Sequence, residues 1–453
     1  MKKLSSLVKK ICNLKPSTYF ILTFIIFFIL QFVLYPKMLK SNFIYAEDGG
    51  VFTSDELRFG PGSLFIPYGG YLVMLSRIFG IITIGLAKLF NSFNVVPHAL
   101  TILGALFVSF VASYFASDRF EFFIKGRLKR FFTSGIIIIM FSQFIGVMFN
   151  AVGIHWWCGF FIFLVSLELL NNTLPSKFVY LFICLSILSS PSALIIAFAA
   201  LYFIVKKIKD GQVKTLFNKK YLLFFIMIFA CLALQAYFML FRTSVQTLSN
   251  TTSFGHIIGS GMRTYEYSLC SPFFIFSIDF WKGLMAIPGI HVIGGLLWIV
   301  ILFCAKKKGL LKYAVFALIC TAFIYFMVFY KRNSDMIWLK TVSLHFYHLM
   351  PSGLVFLIAV AVYFKFTKKE HKVMTALILT ILAFQFYNIR WKPDYRNNLE
   401  LREANEYVDF SSKTYAIVKT APYNENDWWT YTRIPVRAEY CEMEGKVCET
   451  FDD

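Results

Sequence analysis

Tyr19 to Tyr35 reads YFILTFIIFFILQFVLY, and about ten residues further on the chain turns to Tyr45-Ala46-Glu47-Asp48-Gly49-Gly50. Lys2, Lys3, Lys9, Lys10 and Lys15 precede the apolar run, and Pro36-Lys37 closes it without a small-residue cleavage site. A basic flank before a long uncleaved apolar run is a signal anchor with its amino terminus inside. The second stretch then sets two adjacent carboxylates at the outer membrane surface. Ionisable groups kept at or within a bilayer cost free energy, which makes them functional candidates. A solvated loop with an Asp-Gly turn is the competing reading.

Working outward, the whole chain has the same character. With 58% hydrophobic residues, 54 Phe and 15% charge, it carries more apolar surface than a soluble domain could hide. Further apolar runs lie at 95–116, 133–149, 154–170, 178–190, 193–205, 221–241, 288–305, 313–330, 351–364 and 373–389. The expectation is an all-α polytopic membrane protein with about eleven transmembrane helices. The net charge of +20 does not point to nucleic acid, because Lys and Arg cluster in short segments between apolar runs. Those segments begin at Arg119, Lys206, Lys306 and Lys365, and each falls on the cytoplasmic side of this topology.

Segment 70–90 would invert that topology if it crossed, so it reads as an interfacial or re-entrant helix inside a first outer loop of about 36–94. Spans 178–190 and 193–205 are each too short to cross a ~30 Å core at ~1.5 Å per residue. They meet at Ser189-Ser190-Pro191-Ser192, a broken hairpin that implies a recess in the outer half. Residues 1–390 form the transmembrane domain, and 391–453 form a small extracytoplasmic tail in which Cys441 and Cys448 could pair. Trp428 and Trp429 could stack on sugar faces, and read in preference as packing that tail onto the membrane domain. The other seven cysteines show no metal-ligand spacing, and the chain has no phosphate-cradling glycine loop, nucleophile elbow or HExxH motif.

Ala46-Glu47-Asp48-Gly49, then Pro67-Tyr68-Gly69-Gly70-Tyr71-Leu72 with Arg77, then Asn150 and His155-Trp156, then Ser190-Pro191-Ser192-Ala193-Leu194 recur in this order in the GT-C superfamily of membrane glycosyltransferases. The chain resembles the bacterial polyprenyl-phosphate-sugar-dependent members, among them the O-antigen-modifying glucosyltransferases. The resemblance implies a multi-pass protein of the bacterial inner membrane. It would transfer a hexosyl group on the outer face, from a polyprenyl-phosphate donor to a hydroxyl of a surface glycan or lipid-linked acceptor. It also implies that the general base is Glu47 or Asp48, with a lean to Glu47. Where many members carry an Arg-Tyr pair, this chain reads Leu344-His345-Phe346-Tyr347-His348.

The chemistry of the residues runs beside this. A polyprenyl phosphate leaves as a stable anion, so one carboxylate base on the acceptor with cations on the phosphate suffices. Arg77, with Arg332 and Lys331, are the expected phosphate ligands, since a guanidinium binds phosphate oxygens bidentately; each also reads as an anchor that snorkels to headgroups. Tyr68, His155 and His348 complete the donor-site candidates. No cofactor follows from the residues; a divalent cation at Glu47 and Asp48 stays open, since adjacent residues alone make no coordination shell. Two rival classes remain. An O-antigen polymerase or ligase would rest on Arg and His in a late outer loop, and a lipid-linked sugar flippase would carry internal repeats and charges along a central path.

Overall fold

The structure is a computed structural model, and it describes residues 13–39, 44, 47–142, 149–241, 290–331, 346–365, 399–419, 431–443 and 445–450. In chain order the helices are α1 (Pro16–Leu34), α2 (Ser54–Phe59), α3 (Met74–Phe90), α4 (Val95–Ala116), α5 (Arg127–Ser142), α6 (Ile154–Leu170) and α7 (Tyr180–Ile187). Then follow α8 (Ile196–Lys209), α9 (Lys219–Phe241), α10 (Ile290–Lys307), α11 (Leu311–Lys331), α12 (Phe346–Tyr363) and α13 (Leu399–Glu406). Among the described residues four helical segments are long and apolar enough to cross a membrane: Pro16–Leu34, Val95–Ala116, Pro191–Lys209 and Lys219–Phe241. Ile154–Leu170, Lys177–Ile187, Leu311–Met327 and Met350–Tyr363 are shorter apolar helices.

Helix α1 is apolar all round, so its few polar groups choose the inward face. Tyr19, Thr23, Phe27 and Gln31, four residues apart, form its buried stripe. Gln31 Nε2 donates to Ala105 O at 3.0 Å and to Ser109 Oγ at 2.9 Å on α4. Ile21, Ile25, Ile29 and Val33 stay exposed, a surface suited to hydrocarbon rather than water. The centre of the bundle is α4 and α6. α4 is 72% buried along its apolar window against 22% for α1, and α6 is buried from Trp156 to Leu170.

The expected spans 95–116 and 154–170 coincide with α4 and α6. α5 begins at Arg127, earlier than the expected 133, because Arg127 and Arg130 are ion-paired by Asp118 and Glu121 and so enter the helix. The broken hairpin is present, with a short 3-10 turn, Pro191–Ile195, after Ser190. Only its first arm is short, at 8 residues. The second corrects the expected 193–205: with the Pro191 turn and an extension to Lys209 it reaches 19 residues, since Lys206, Lys207 and Lys209 continue the last turn. The expected span 373–389 lies outside the described residues.

The tail is a small α/β unit. Strand β1 (Thr414–Lys419) lies between β2 (Tyr431–Pro435) and β3 (Cys448–Thr450), antiparallel to both, and α13 packs on it through Leu401 and Ala404. Cys441 and Cys448 form a disulfide. The unit touches the first loop twice. Arg433 N donates to Ser54 Oγ at 3.4 Å, and Asn405 Oδ1 accepts from Phe93 N at 2.5 Å, Asn94 N at 3.1 Å and Ser92 Oγ at 3.2 Å. Ser54 adjoins Asp55, the partner of Arg77 in the first turn of α3, and Ser92–Asn94 follow its last turn. One small unit therefore reaches neighbours of both ends of α3. The Trp428-Trp429 pair lies outside the described residues.

Candidate functional site

Asp48 opens a π-helical turn, Asp48–Thr53, that is buried throughout. α3 comes so close that a Cβ on Gly80 would lie 2.8 Å from Phe52 O. Asp48 accepts hydrogen bonds from Ala151 N at 3.0 Å and Val152 N at 2.8 Å, and Asn150 Oδ1 accepts from Gly153 N at 2.6 Å. These amides lead into α6, where the first turn leaves N–H groups without helical partners and carries partial positive charge. Asp48 thus closes the start of α6 across 103 residues. Burial pushes its carboxyl well above the usual range, opposed by the two amides.

Glu47 stands one residue earlier in a different setting. It is half-buried, and Tyr68 OH donates to its Oε1 at 3.0 Å. Tyr68 is aimed by a two-residue turn: Tyr68 N donates to Tyr71 O at 2.9 Å and Tyr71 N to Tyr68 O at 3.3 Å. The residues between, Gly69 and Gly70, have φ of 61° and 82°, a left-handed pair that glycine adopts without steric cost.

Arg77 is buried to 1% exposure. Its Nη1 bonds Asp55 at 2.5 Å and Val51 O at 3.4 Å, and its Nη2 donates to Ile66 O at 3.2 Å. The guanidinium lies 5.3 Å from the centre of the Phe52 ring. These partners fasten α3 to both limbs of the loop. Burial lowers the Arg77 pKa, with Asp55 opposing. Beside it, Ser63 Oγ donates to Glu56 at 2.9 Å, and burial raises the Glu56 carboxyl.

The hairpin tip meets the same place. Met74 N donates to Leu188 O at 3.1 Å, and Leu75 N to Ser189 Oγ at 2.7 Å. Ser76 Oγ donates to Ala151 O at 2.7 Å. From α9, Gln235 exchanges two hydrogen bonds with the Leu72 backbone, at 3.1 and 3.2 Å. His155 Nδ1 lies against the carbonyl of Val152, whose amide bonds Asp48, and the His155 and Trp156 rings are tilted at 45° with centroids 4.5 Å apart.

The structure therefore brings Glu47, Asp48, Tyr68, Arg77 and His155 into one cluster of loops. Within it Asp48 and Arg77 bond protein groups. Lys331 ends α11, His348 falls in the first turn of α12, and Arg332 lies outside the described residues. Among the described residues no group of three or more His, Cys, Asp or Glu could hold a metal ion. Sequence reading took Ser189 only as part of the hairpin break, and passed over Asp55 and Gln235. A glutamine inside an otherwise apolar span was the visible signal for the last, since a buried amide needs partners. No family model, curated protein or solved structure matches the chain.

Proposed function

We propose that this chain is a membrane glycosyltransferase of the GT-C type, with Glu47 as the base. It moves a hexosyl group from a polyprenyl-phosphate donor to a hydroxyl of a surface glycan or lipid-linked acceptor, on the outer face of a bacterial inner membrane crossed about eleven times. The observation that carries the reading is the unequal setting of two adjacent carboxylates. Asp48 is committed to the amides before α6 and is 1% exposed, while Glu47 is half-exposed and accepts from the Tyr68 hydroxyl. A base must reach its proton donor, and of the two Glu47 is the more accessible.

In this arrangement Tyr68 orients Glu47, Asp48 fixes the backbone on which Glu47 rides, and Arg77 clamps the loop to α3. This assigns Arg77 to positioning in place of the expected phosphate contact, because it is 1% exposed and both its Nη atoms bond the loop, at Asp55 and two carbonyls. The contact of one tail unit with both ends of α3 supports an α3 that lies along the outer surface. The disulfide supports a tail on the oxidising side.

The test is turnover of a polyprenyl-phosphate hexose by the purified protein, with and without acceptor glycan. Glu47→Gln should abolish turnover at an unchanged folded fraction. Wild-type turnover by that variant would return the pair to a surface turn.

A further inference from the structure

The end of the bundle away from Glu47 sorts its cations by type. The arginines point inward onto acids: Arg119 pairs with Glu168 at 2.5 Å, Arg127 with Asp118, and Arg130, wholly buried, with Asp118 at 2.9 Å and with Glu121. Nearby lysines do the opposite. Lys125, Lys306, Lys307 and Lys365 are exposed and Lys129 is half-buried. They come from three segments far apart in sequence, and the fold joins those segments: Lys129 Nζ sits 4.9 Å from the centre of the Phe364 ring, and Lys365 Nζ donates to Lys308 O at 3.1 Å. Lys307 Nζ stands 4.3 Å from the centre of the Phe303 ring, which is itself 56% exposed at the end of the apolar helix α10.

Like charges so gathered repel, and among the described residues the nearby acids Asp118 and Glu121 are engaged by Arg127, Arg130 and the Gly126 amide, so the fold accepts a cost here. Burial first and then Lys125 hold the Lys365 ammonium below the ordinary lysine range. A counter-anion would remove that cost. Ammonium groups resting on rings beside exposed apolar side chains stand at the depth of lipid headgroups, where phosphodiesters lie within reach.

We propose that the rim formed by Lys125, Lys129, Lys306, Lys307 and Lys365 binds the phosphodiester headgroup of an anionic membrane lipid. The site is separate from the Glu47 cluster and asks nothing of the catalytic reading. Each lysine near a charged surface adds to the attraction, and three removed together should weaken retention at least about tenfold after screening.

The experiment uses the full chain reconstituted in phosphatidylcholine vesicles with and without phosphatidylglycerol, followed by native mass spectrometry of the lipid that stays bound. Wild type should retain phosphatidylglycerol over phosphatidylcholine, and Lys125→Gln/Lys129→Gln/Lys365→Gln should lose that preference about tenfold. Lys209→Gln/Lys214→Gln/Lys220→Gln, which removes equal charge elsewhere, should keep it. Equal loss in both triple variants would make the effect one of net charge and overturn the proposal. So would equal retention of the two lipids by wild type, or complete displacement by inorganic phosphate. Should the first triple variant fail to fold, wild-type retention across a salt series decides: a preference unmoved by ionic strength removes the site.

Discussion

At one end of the bundle Asp48 is buried against two backbone amides and Glu56 against a serine hydroxyl, whereas at the other Asp118 and Glu121 lie against Arg127 and Arg130. Burial raises the first two carboxyls. The Arg127 hydrogen bond lowers Asp118, and Arg130 with the Gly126 amide outweighs burial to lower Glu121. One end therefore keeps a carboxylate in a state that water would not favour, a condition typical of sites that handle protons. The other uses its carboxylates as mortar. The difference teaches that charge at a membrane surface has to be read with its partners: in sequence both ends are simply clusters of ionisable residues.

The largest effect expected from this contrast is on transfer. Glu47→Gln should lower sugar transfer by about two to four orders of magnitude at matched membrane levels, the range of a lost general base. Asp48→Asn should cost less in transfer and more in folded protein, because Ala151 N and Val152 N bond different carboxylate oxygens and an asparagine sets an NH2 donor against one of them. Equal, mild losses in both variants would break the contrast. Removal of the buried arginines comes next. Arg77→Gln and Arg130→Gln each remove a buried guanidinium and leave its acids unpaired, and thermal unfolding in detergent should report losses of up to about 3 kcal/mol, below the full cost of a broken buried pair because the acids are partly exposed.

Smaller, at about 1 kcal/mol, is the tail contact. Asn405→Leu should speed hydrogen exchange at the Phe93 and Asn94 amides and leave the start of α5 unchanged. The smallest effects are in pH, and their signs oppose. Glu56, raised in the folded state, contributes stability below the unfolded carboxylate value that is lost as pH rises through its folded value. Asp118, lowered, contributes above the unfolded value and loses that contribution as pH falls. Denaturation between about pH 3 and 7 should show Glu56→Gln gaining on wild type as pH rises, and Asp118→Asn catching up with it as pH falls. The same sign for both variants would erase the distinction between the ends.

The helices themselves were legible where charge and turn residues bracket an apolar run, as at α4 and α6. The hairpin break was legible because Ser189-Ser190-Pro191-Ser192 interrupts two such runs. In the site, the adjacency of Glu47 and Asp48 was visible but their division of labour was not. It is decided by amides at Ala151 and Val152, and backbone groups leave no mark in a sequence. The Arg77–Asp55 pair went unread for a related reason: Asp55 was there to be seen, but nothing local says that a helix 22 residues on folds back over it. At the far end the basic cluster was read only as a topological signal, and the ion pairs of Arg119 with Glu168 and of Arg127 and Arg130 with Asp118 and Glu121 were not foreseen, since their partners come from other turns and helices.

The triple acceptance by Asn405 has a consequence in time. Phe93 N and Asn94 N belong to the turn that leads into α4, so the acceptor that satisfies this turn is 311 residues away from Asn94. At roughly 5–20 residues per second a ribosome needs about 15–60 s to make that stretch. Throughout that interval the turn before the central helix lacks its acceptor, and water, a headgroup or an assembly factor must serve in the meantime. The newest part of the chain is what completes one of the oldest.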